Sequence, residues 1–515
     1  MNKSTFTLAA VSMICGFLVA QWFMGGVRST VVLTPPQGAQ STPPAESSLL
    51  KEIRFPLTTA DIPLDREYPS IVADSKNNAV VVAWAATTKP DSGNTSRTLW
   101  IARSTDGGRN FDPPKPWREV PVYAYVSGGG NSTPDSVKPT EEKSKPARAP
   151  MTFSTHILPR LIMAGDRMIL GWVEALNGGP KAAFYIAEST DGGLHFSPPR
   201  AIGGSQTNRP GFISLSSDTQ GRILAAWLDN PAKIENTLVK KPSASQSGGG
   251  PKVFVSRELP DKSGFESPKL VFAGPDGKGV CPCCDVAVVS GSADETLYAF
   301  RNNVADIRDI WVGSVKGDRN SSPVALSNRG WNFAGCPHDG PSMTDIGGKI
   351  YSTWMDAKDG KPRIFLSEME SANHQSTIKT SPVTPTLEGA QSHSRIISDD
   401  RGGIVISWDQ SELKMPGMHG NHQSEPDKSG PSRGIVVLHR PSGKNAIETR
   451  IDLKSASDRL PRNPSIAIVK SSAVVAWTEL GGPEGKSIRV QRVDFSEMTP
   501  VGKIAETSDA GVSSK

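Results

Sequence analysis

The chain has 515 residues, of which 36% are hydrophobic and 21% charged, and it contains 49 glycines and 42 prolines. This composition is typical of a turn-rich all-β protein and argues against long helices. The net charge of +5 is small for this length and the basic residues are dispersed, which argues against nucleic-acid binding.

The N-terminal segment predicts export. A short basic start precedes an apolar run over residues 6–26, close to the ~20 residues that span a bilayer. No small-residue cleavage site stands out after Val19-Ala20-Gln21, which favours an uncleaved anchor. The predicted divisions are a signal peptide or N-terminal membrane anchor over 1–27, a flexible Pro/Ser linker over 28–50, one domain over 51–505 and a disordered tail over 506–515. The expected location is periplasmic or otherwise extracytoplasmic, with residues 6–26 as a tether to the inner membrane.

A strand ending in an aromatic residue recurs seven times along the chain. Its last residues are Trp84, Trp172, Trp227, Phe300, Trp354, Trp408 and Trp477. The spacings are 88, 55, 73, 54, 54 and 69 residues, and the longer ones carry insertions near 127–150, 231–251 and 411–432. Short strands at a fixed period of about 50 residues indicate propeller blades, since such a unit is too small for a stable β-sandwich. The sequence therefore predicts an all-β, seven-bladed β-propeller.

Two blades carry the same turn motif after their third strand. Ser104–Phe111 and Ser189–Phe196 both begin Ser-Thr-Asp-Gly-Gly and end in Phe. The motif resembles the Asp box (BNR repeat) of sialidase-like β-propellers, of which this chain looks like a divergent member with Cys-Pro-Cys-Cys and Gly-Cys-Pro-His-Asp motifs. The resemblance implies a structural turn between the third and fourth strands, away from the active face, and makes six blades the alternative count. It implies little about activity, because many such propellers hydrolyse nothing.

The repeat also predicts which residues meet at the top of the channel. Counting back sixteen residues from the terminal aromatic gives Tyr68, His156, Cys284 and His338, and fifteen residues before Trp408 gives His393. Cys281 and Cys336 are 55 residues apart, one repeat unit, so they hold equivalent positions in adjacent blades. The cysteines after the N-terminal segment therefore converge on one part of the top face.

Thiolates, imidazoles and thioethers on one rim are what a soft or borderline metal ion requires. The predicted ligands are Cys281, Cys283, Cys284, Cys336, His338, His393 and His156, with Met418, His419 and His422 in the loop after Trp408. Outside the cytosol this donor set favours copper before zinc. The alternative is one or two disulfides among the four cysteines, and a Cys281–Cys336 disulfide beside a metal site would combine the two.

Carboxylates follow the terminal aromatic in five blades: Glu174, Asp229, Asp356, Asp409 and Glu479. The resemblance to sialidases implies an arginine triad on the substrate carboxylate, a tyrosine nucleophile and an Asp acid/base. The positions available for these roles are Arg209, Arg301, Arg462, Tyr68 and Asp356. An exo-α-sialidase-type hydrolase acting on a glycan or other small ligand at the top face therefore stays open, as does a non-catalytic scaffold for a protein partner. Ring closure is open too, either through residues 52–57 or through 490–504 alone.

Overall fold

The structure is a computed structural model. It describes residues 52–57, 68–86, 96–121, 124–127, 151–154, 157–178, 181–203, 210–229, 250–292, 294–384, 389–411, 433–443, 445–482 and 485–501. All of these belong to the compact unit Leu50–Lys515. A search of this part of the chain found no helix with the length and apolarity needed to cross a membrane.

Thirty-two strands account for most of the described residues. Strand β1 is Glu52–Leu57. Blade 1 contains β2 Ser70–Asp74, β3 Ala79–Ala86, β4 Ser96–Ser104 and β5 Lys115–Pro121. A separate hairpin follows, with β6 Ala124–Ser127 and β7 Met151–Ser154. Blade 2 contains β8 Arg160–Ala164, β9 Arg167–Ala175, β10 Ala182–Ser189 and β11 Arg200–Ile202. Blade 3 contains β12 Gly211–Ser217, β13 Ile223–Asp229, β14 Lys252–Arg257 and β15 Lys269–Phe272.

The remaining four blades follow in the same order. Blade 4 contains β16 Ala287–Ser290, β17 Thr296–Arg301, β18 Ile310–Lys316, β19 Arg319–Asn320 and β20 Val324–Ala325. Blade 5 contains β21 Ser342–Ile346, β22 Lys349–Asp356, β23 Arg363–Glu370 and β24 Lys379–Pro382. Blade 6 contains β25 Ala390–Ser398, β26 Ile404–Ser411, β27 Arg433–Arg440 and β28 Thr449–Lys454. Blade 7 contains β29 Arg459–Val469, β30 Ser472–Gly481 and β31 Lys486–Asp494, and β32 Thr499–Pro500 ends the series. Short 3₁₀ turns cover Leu176–Gly178, Pro275–Gly277, Ser371–Asn373 and Phe495–Glu497.

The seven sheets form a closed ring, and the predicted seven-bladed β-propeller is confirmed. Within each blade the strands are antiparallel neighbours in chain order, except that β20 pairs with β18 in blade 4 and β1 pairs with β31 in blade 7. The first strand of each blade contacts the first strand of the next, from β2 through β8, β12, β16, β21 and β25 to β29 and back to β2. These first strands therefore surround the central channel, and the later strands step outwards.

The ring closes through the N-terminal strand. Strand β1 pairs antiparallel with β31, with Phe55 opposite Ile488, and forms the outer edge of blade 7. Phe55 also stacks on Trp84 of blade 1 at 5.2 Å between ring centroids. Of the two routes to closure left open by the sequence, the one through residues 52–57 is correct. Strand β32, which lies in the segment 490–504, does not complete blade 7 and pairs with β28 of blade 6.

Aromatic strand ends and a ring of serines join the blades. Five of the tryptophans that end the second strands are fully buried: Trp172, Trp227, Trp354, Trp408 and Trp477. At the inner edge, the Leu161 N–H donates to Ser70 Oγ of the preceding blade at 2.8 Å. The Ile396 N–H donates in the same way to Ser342 Oγ at 3.2 Å. Each serine thus accepts a hydrogen bond from a backbone N–H group at the inner edge of the neighbouring sheet, where no further strand is present to accept it.

The two Ser-Thr-Asp-Gly-Gly turns adopt the predicted geometry. Asp106 Oδ1 accepts the backbone N–H groups of Arg109 at 3.0 Å and Asn110 at 2.8 Å. Gly107 and Gly108 have φ values of 72° and 84°, a region in which a side chain would be strained. Phe111 packs edge-on against Phe55. Both turns connect the third strand of a blade to its fourth, which is where the sequence placed them.

Candidate metal centre between blades 4 and 5

The first half of the centre is the segment that leads into strand β16. The Cys281 N–H donates to the Arg301 carbonyl at the end of β17, at 3.1 Å, and this bond fixes the segment against blade 4. Cys281, Cys283 and Cys284 form a small buried cluster of their own. We call these three residues the inner triplet.

The sulfur atoms of the inner triplet are in mutual contact. Cys281 Sγ lies 3.6 Å from Cys283 Sγ and 3.6 Å from Cys284 Sγ. A disulfide would need a sulfur–sulfur distance of about 2.05 Å, and none of the four described cysteines forms one. Thiolates bound at about 2.3 Å to one tetrahedral ion lie about 3.8 Å apart, which is close to the separation seen here.

Blade 5 supplies the second half. Cys283, Cys336 and His338 bring their ligand atoms within 4.8 Å of one another, with Cys336 exposed and His338 half-buried. We call these residues the outer triplet. The approach of the two blades depends on Gly340, because a Cβ at that position would collide with the Asp285 backbone. The structure therefore brings together five of the predicted ligands, in two groups that share Cys283: Cys281, Cys283, Cys284, Cys336 and His338.

Two buried arginines lie beside the inner triplet. Arg308 Nη1 lies 3.5 Å from Cys281 Sγ. Arg301 donates to the carbonyls of Asp339, Arg308 and Met355 at 2.9, 2.6 and 2.8 Å. Thiol donation from Cys283 and Cys284, aided by the two guanidinium charges, lowers the pKa of Cys281. Its hydrogen bond with Cys281, followed by those with Cys284 and Cys336, raises the pKa of Cys283.

His393 lies in a separate polar group. Its Nδ1 is 2.6 Å from Asp409 Oδ2, and its backbone N–H donates to Asp339 Oδ2 at 2.6 Å. Burial opposes the charged imidazole, but the Asp409 carboxylate prevails and raises the pKa of His393. Burial raises the pKa of Asp339. His393 is in neither triplet. Four predicted ligands lie outside the described residues: His156, Met418, His419 and His422.

Three of the five carboxylates that follow the terminal aromatics form ion pairs with arginines. Glu174 pairs with Arg118 at 3.0 Å and Asp356 with Arg329 at 3.1 Å. Glu479 is fully buried and meets three arginines, Arg54, Arg459 and Arg489, at 2.8, 3.4 and 3.0 Å. Asp229 is buried as well. Glu174, Asp356 and Glu479 are thus each paired with arginines and do not form one open acidic ring.

The residues named for a hydrolase are dispersed over different environments. The Arg301 guanidinium is buried and donates to three carbonyls, so these donors are already used in the fold. Arg462 is half-buried and lies near His393. Tyr68 is buried at the channel wall, and Arg209 lies outside the described residues. An arginine triad around Tyr68 and Asp356 is therefore not assembled from the described members of this set.

Comparison with known proteins gives structural similarity only. No protein-family model and no curated protein sequence matches the chain. A protein of unknown function from Dyadobacter fermentans is 14% identical, with 66% of this chain and 94% of that chain covered and a TM-score of 0.41. An α-L-arabinofuranosidase of Fusarium graminearum is 11% identical, with coverages of 87% and 97% and a TM-score of 0.42. Trypanosoma rangeli sialidase is 11% identical, with coverages of 70% and 57% and a TM-score of 0.38. TM-scores this low decide nothing about activity, and the propeller assignment rests on the seven sheets.

Sequence reasoning missed a charged bridge across the channel. Arg160 of blade 2 and Arg395 of blade 6 both donate to Asp285 Oδ2 of blade 4, each at 2.9 Å. The three residues line a central cavity of about 590 Å³. Burial lowers the pKa of Arg160, and the neighbouring Arg395 adds to this effect. The sequence did contain one indication of these arginines. When the first strands of the blades are aligned by their pairing with the second strands, Arg160 and Arg395 stand at the position that is serine in most other blades.

Proposed function

We propose that this protein is an exported β-propeller that binds a soft metal ion, copper before zinc, through Cys281, Cys283, Cys284, Cys336 and His338. The observation that carries the proposal is the contact among three buried thiols beside two arginines. Soft thiolate ligands select copper(I) and zinc, and a guanidinium group beside a thiol favours the thiolate form that binds metal. The role that we propose for this site is redox chemistry or metal handling.

Location outside the cytoplasm belongs to the same proposal. The apolar run over residues 6–26 would tether the propeller to the membrane, and the Pro/Ser-rich stretch over 28–50 would act as a spacer. Fractionation of expressing cells tests this. We expect the full chain in the membrane fraction with its propeller open to added protease after outer-membrane permeabilisation. Protection of the propeller in intact spheroplasts would contradict the proposal.

Metal analysis of protein purified without a His tag tests the binding. We expect copper in the isolated chain and a lower copper content in Cys281→Ser, because this variant removes the sulfur that both other inner thiols contact. His338→Ala is expected to lower the copper content as well. His195→Ala is its matched control, since His195 is exposed and pairs with Asp191 in a turn of blade 2. The proposal fails if the reduced protein binds neither copper nor zinc.

Two other results would favour a different function for this protein. All four cysteines in disulfides after isolation would favour the non-catalytic scaffold. Turnover of a fluorogenic sialoside, lost in Tyr68→Phe, would favour a hydrolase of sialidase type. The hydrolase has less support, because Asp356 and Arg301 already serve in contacts within the fold.

A further inference from the structure

Two donor sets overlap at a single residue. The inner triplet contains three buried sulfurs, the outer triplet contains one buried sulfur, one exposed sulfur and one half-buried imidazole, and they share only Cys283. Within each triplet all ligand atoms lie within 4.8 Å of one another. The centre therefore offers five donors in two groups rather than one compact shell.

One ion cannot reach all five donors in this arrangement. Two thiolates at about 2.3 Å from the same ion are separated by at most about 4.6 Å, even when they lie on opposite sides of it. The donors of one triplet, apart from Cys283, do not group within 4.8 Å with those of the other. A thiolate has more than one lone pair and can bridge two ions. Resting on the proposed function, we infer that the centre binds two copper(I) ions joined by the Cys283 thiolate.

The charge around the centre fits two monovalent ions. Each ligating thiol releases its proton to solvent when it binds metal. Four thiolates with two copper(I) ions leave about two negative charges in excess, and Arg301 and Arg308 lie beside them. Arg308 also pairs with the half-exposed Asp306 at 3.2 Å, on the solvent side. Two divalent ions with the same four thiolates would form a neutral centre, and the charges of Arg301 and Arg308 beside it would then be unbalanced.

The two positions differ in access. Every donor of the inner position is buried, whereas the outer position has Cys336 exposed and His338 half-buried. Incoming ligands or chelators therefore meet the outer ion first. We assign the outer position to exchange with solution and the inner position to retention. The protein would then pass copper through His338 and Cys336 while keeping the inner ion in place.

Anaerobic titration of the reduced full chain with copper(I), followed by removal with bathocuproine disulfonate, tests this inference. We expect two coppers per chain, a copper–copper signal in X-ray absorption, and removal of the second ion about tenfold more slowly than the first. Cys336→Ser, at an exposed position, is expected to fold and to bind one slowly removed copper. Cys281→Ser is expected to leave one rapidly removed copper.

The outcomes separate this inference from the proposed function. One copper per chain, with equal loss in Cys336→Ser and Cys281→Ser, would overturn the two-ion centre and leave metal binding intact. No copper or zinc at any concentration would overturn both. His195→Ala serves as the control for added or lost imidazole, and the stoichiometry of the unmutated chain decides the matter if an inner variant fails to fold.

Discussion

Glu479 illustrates how a single buried charge can hold one blade together. Its carboxylate is fully buried at the end of β30 and meets Arg54 of β1, Arg459 of β29 and Arg489 of β31. Ser455 Oγ donates to the same carboxylate at 2.7 Å. One anion thus contacts the inner, third and outer strands of blade 7.

We expect Glu479→Gln to lower the free energy of unfolding by about 3–5 kcal/mol, because it leaves buried cations without their counter-charge. Urea denaturation followed by tryptophan fluorescence measures the change. Glu368→Gln is the matched control, since the Glu368–Lys349 pair is exposed and its loss should have no measurable effect. Equal midpoints for the two variants would show that the buried network contributes nothing.

Asp399 gives a prediction about acid stability. Its Oδ2 lies 2.8 Å from His439 Nε2, and its Oδ1 accepts the N–H groups of Arg401 at 2.8 Å and Gly403 at 2.6 Å. Burial opposes ionisation, but these hydrogen bonds prevail and lower the pKa of Asp399. A carboxyl with a lowered pKa in the folded state stabilises the protein above the pKa of the unfolded chain, about 3.9 for Asp.

We therefore expect Asp399→Asn to cost about 1–3 kcal/mol near neutral pH, with the difference from the unmutated protein shrinking as the pH falls below about 4. Urea denaturation at a series of pH values between neutral and strongly acid measures this. A difference that stays constant over the series would show that the charge of Asp399 does not stabilise the fold.

Residue positions near the centre were predictable only where the repeat gave them a register. Cys281 and Cys336 are one repeat apart, and this spacing correctly predicted that cysteines of blades 4 and 5 lie close together. Arg308 was missed because it lies in a connection of irregular length after β17, where the repeat fixes no position. The ion pairs of Glu174 with Arg118 and of Asp356 with Arg329 were not predicted. The two arginines lie in an outer strand and in a connection, and the lengths of these segments vary from blade to blade.

At the scale of one element, strand β1 completes the ring from a distant part of the sequence. It adds six residues to blade 7, and Phe55 places a ring between Trp84 and Phe111 of blade 1. The sequence showed the inner strands clearly because their aromatic ends recur. It left β1 ambiguous because EIRFPL has no repeat partner.

We expect Phe55→Ala to cost about 3–5 kcal/mol, since it removes a buried aromatic side chain from the contact between blades 7 and 1. Ile447→Ala is the control, because Ile447 is 64% exposed. Chemical denaturation measures both. If β1 were only loosely attached, the two variants would have the same midpoint.

At the scale of the whole molecule, the Arg160–Asp285–Arg395 bridge spans the channel and links blades 2, 4 and 6. Asp285 directly follows Cys284, so the bridge and the metal centre share one backbone segment. Side chains from three blades meet only once the ring is closed. The sequence marked Arg160 and Arg395 only as exceptions to the first-strand serine, and it did not indicate that they meet at Asp285.

We expect Asp285→Asn to destabilise the metal-free protein, because two guanidinium groups would then face each other without a shared anion in a partly enclosed channel. Added sulfate should restore part of the lost stability by occupying the space between Arg160 and Arg395, while the unmutated protein should respond little. Thermal unfolding in the presence of a chelator, with and without sulfate, measures the difference. Asp294→Asn, which removes an exposed carboxylate paired with Arg222, is the control for a general salt effect. If sulfate stabilised both variants equally, its effect would not come from binding between Arg160 and Arg395.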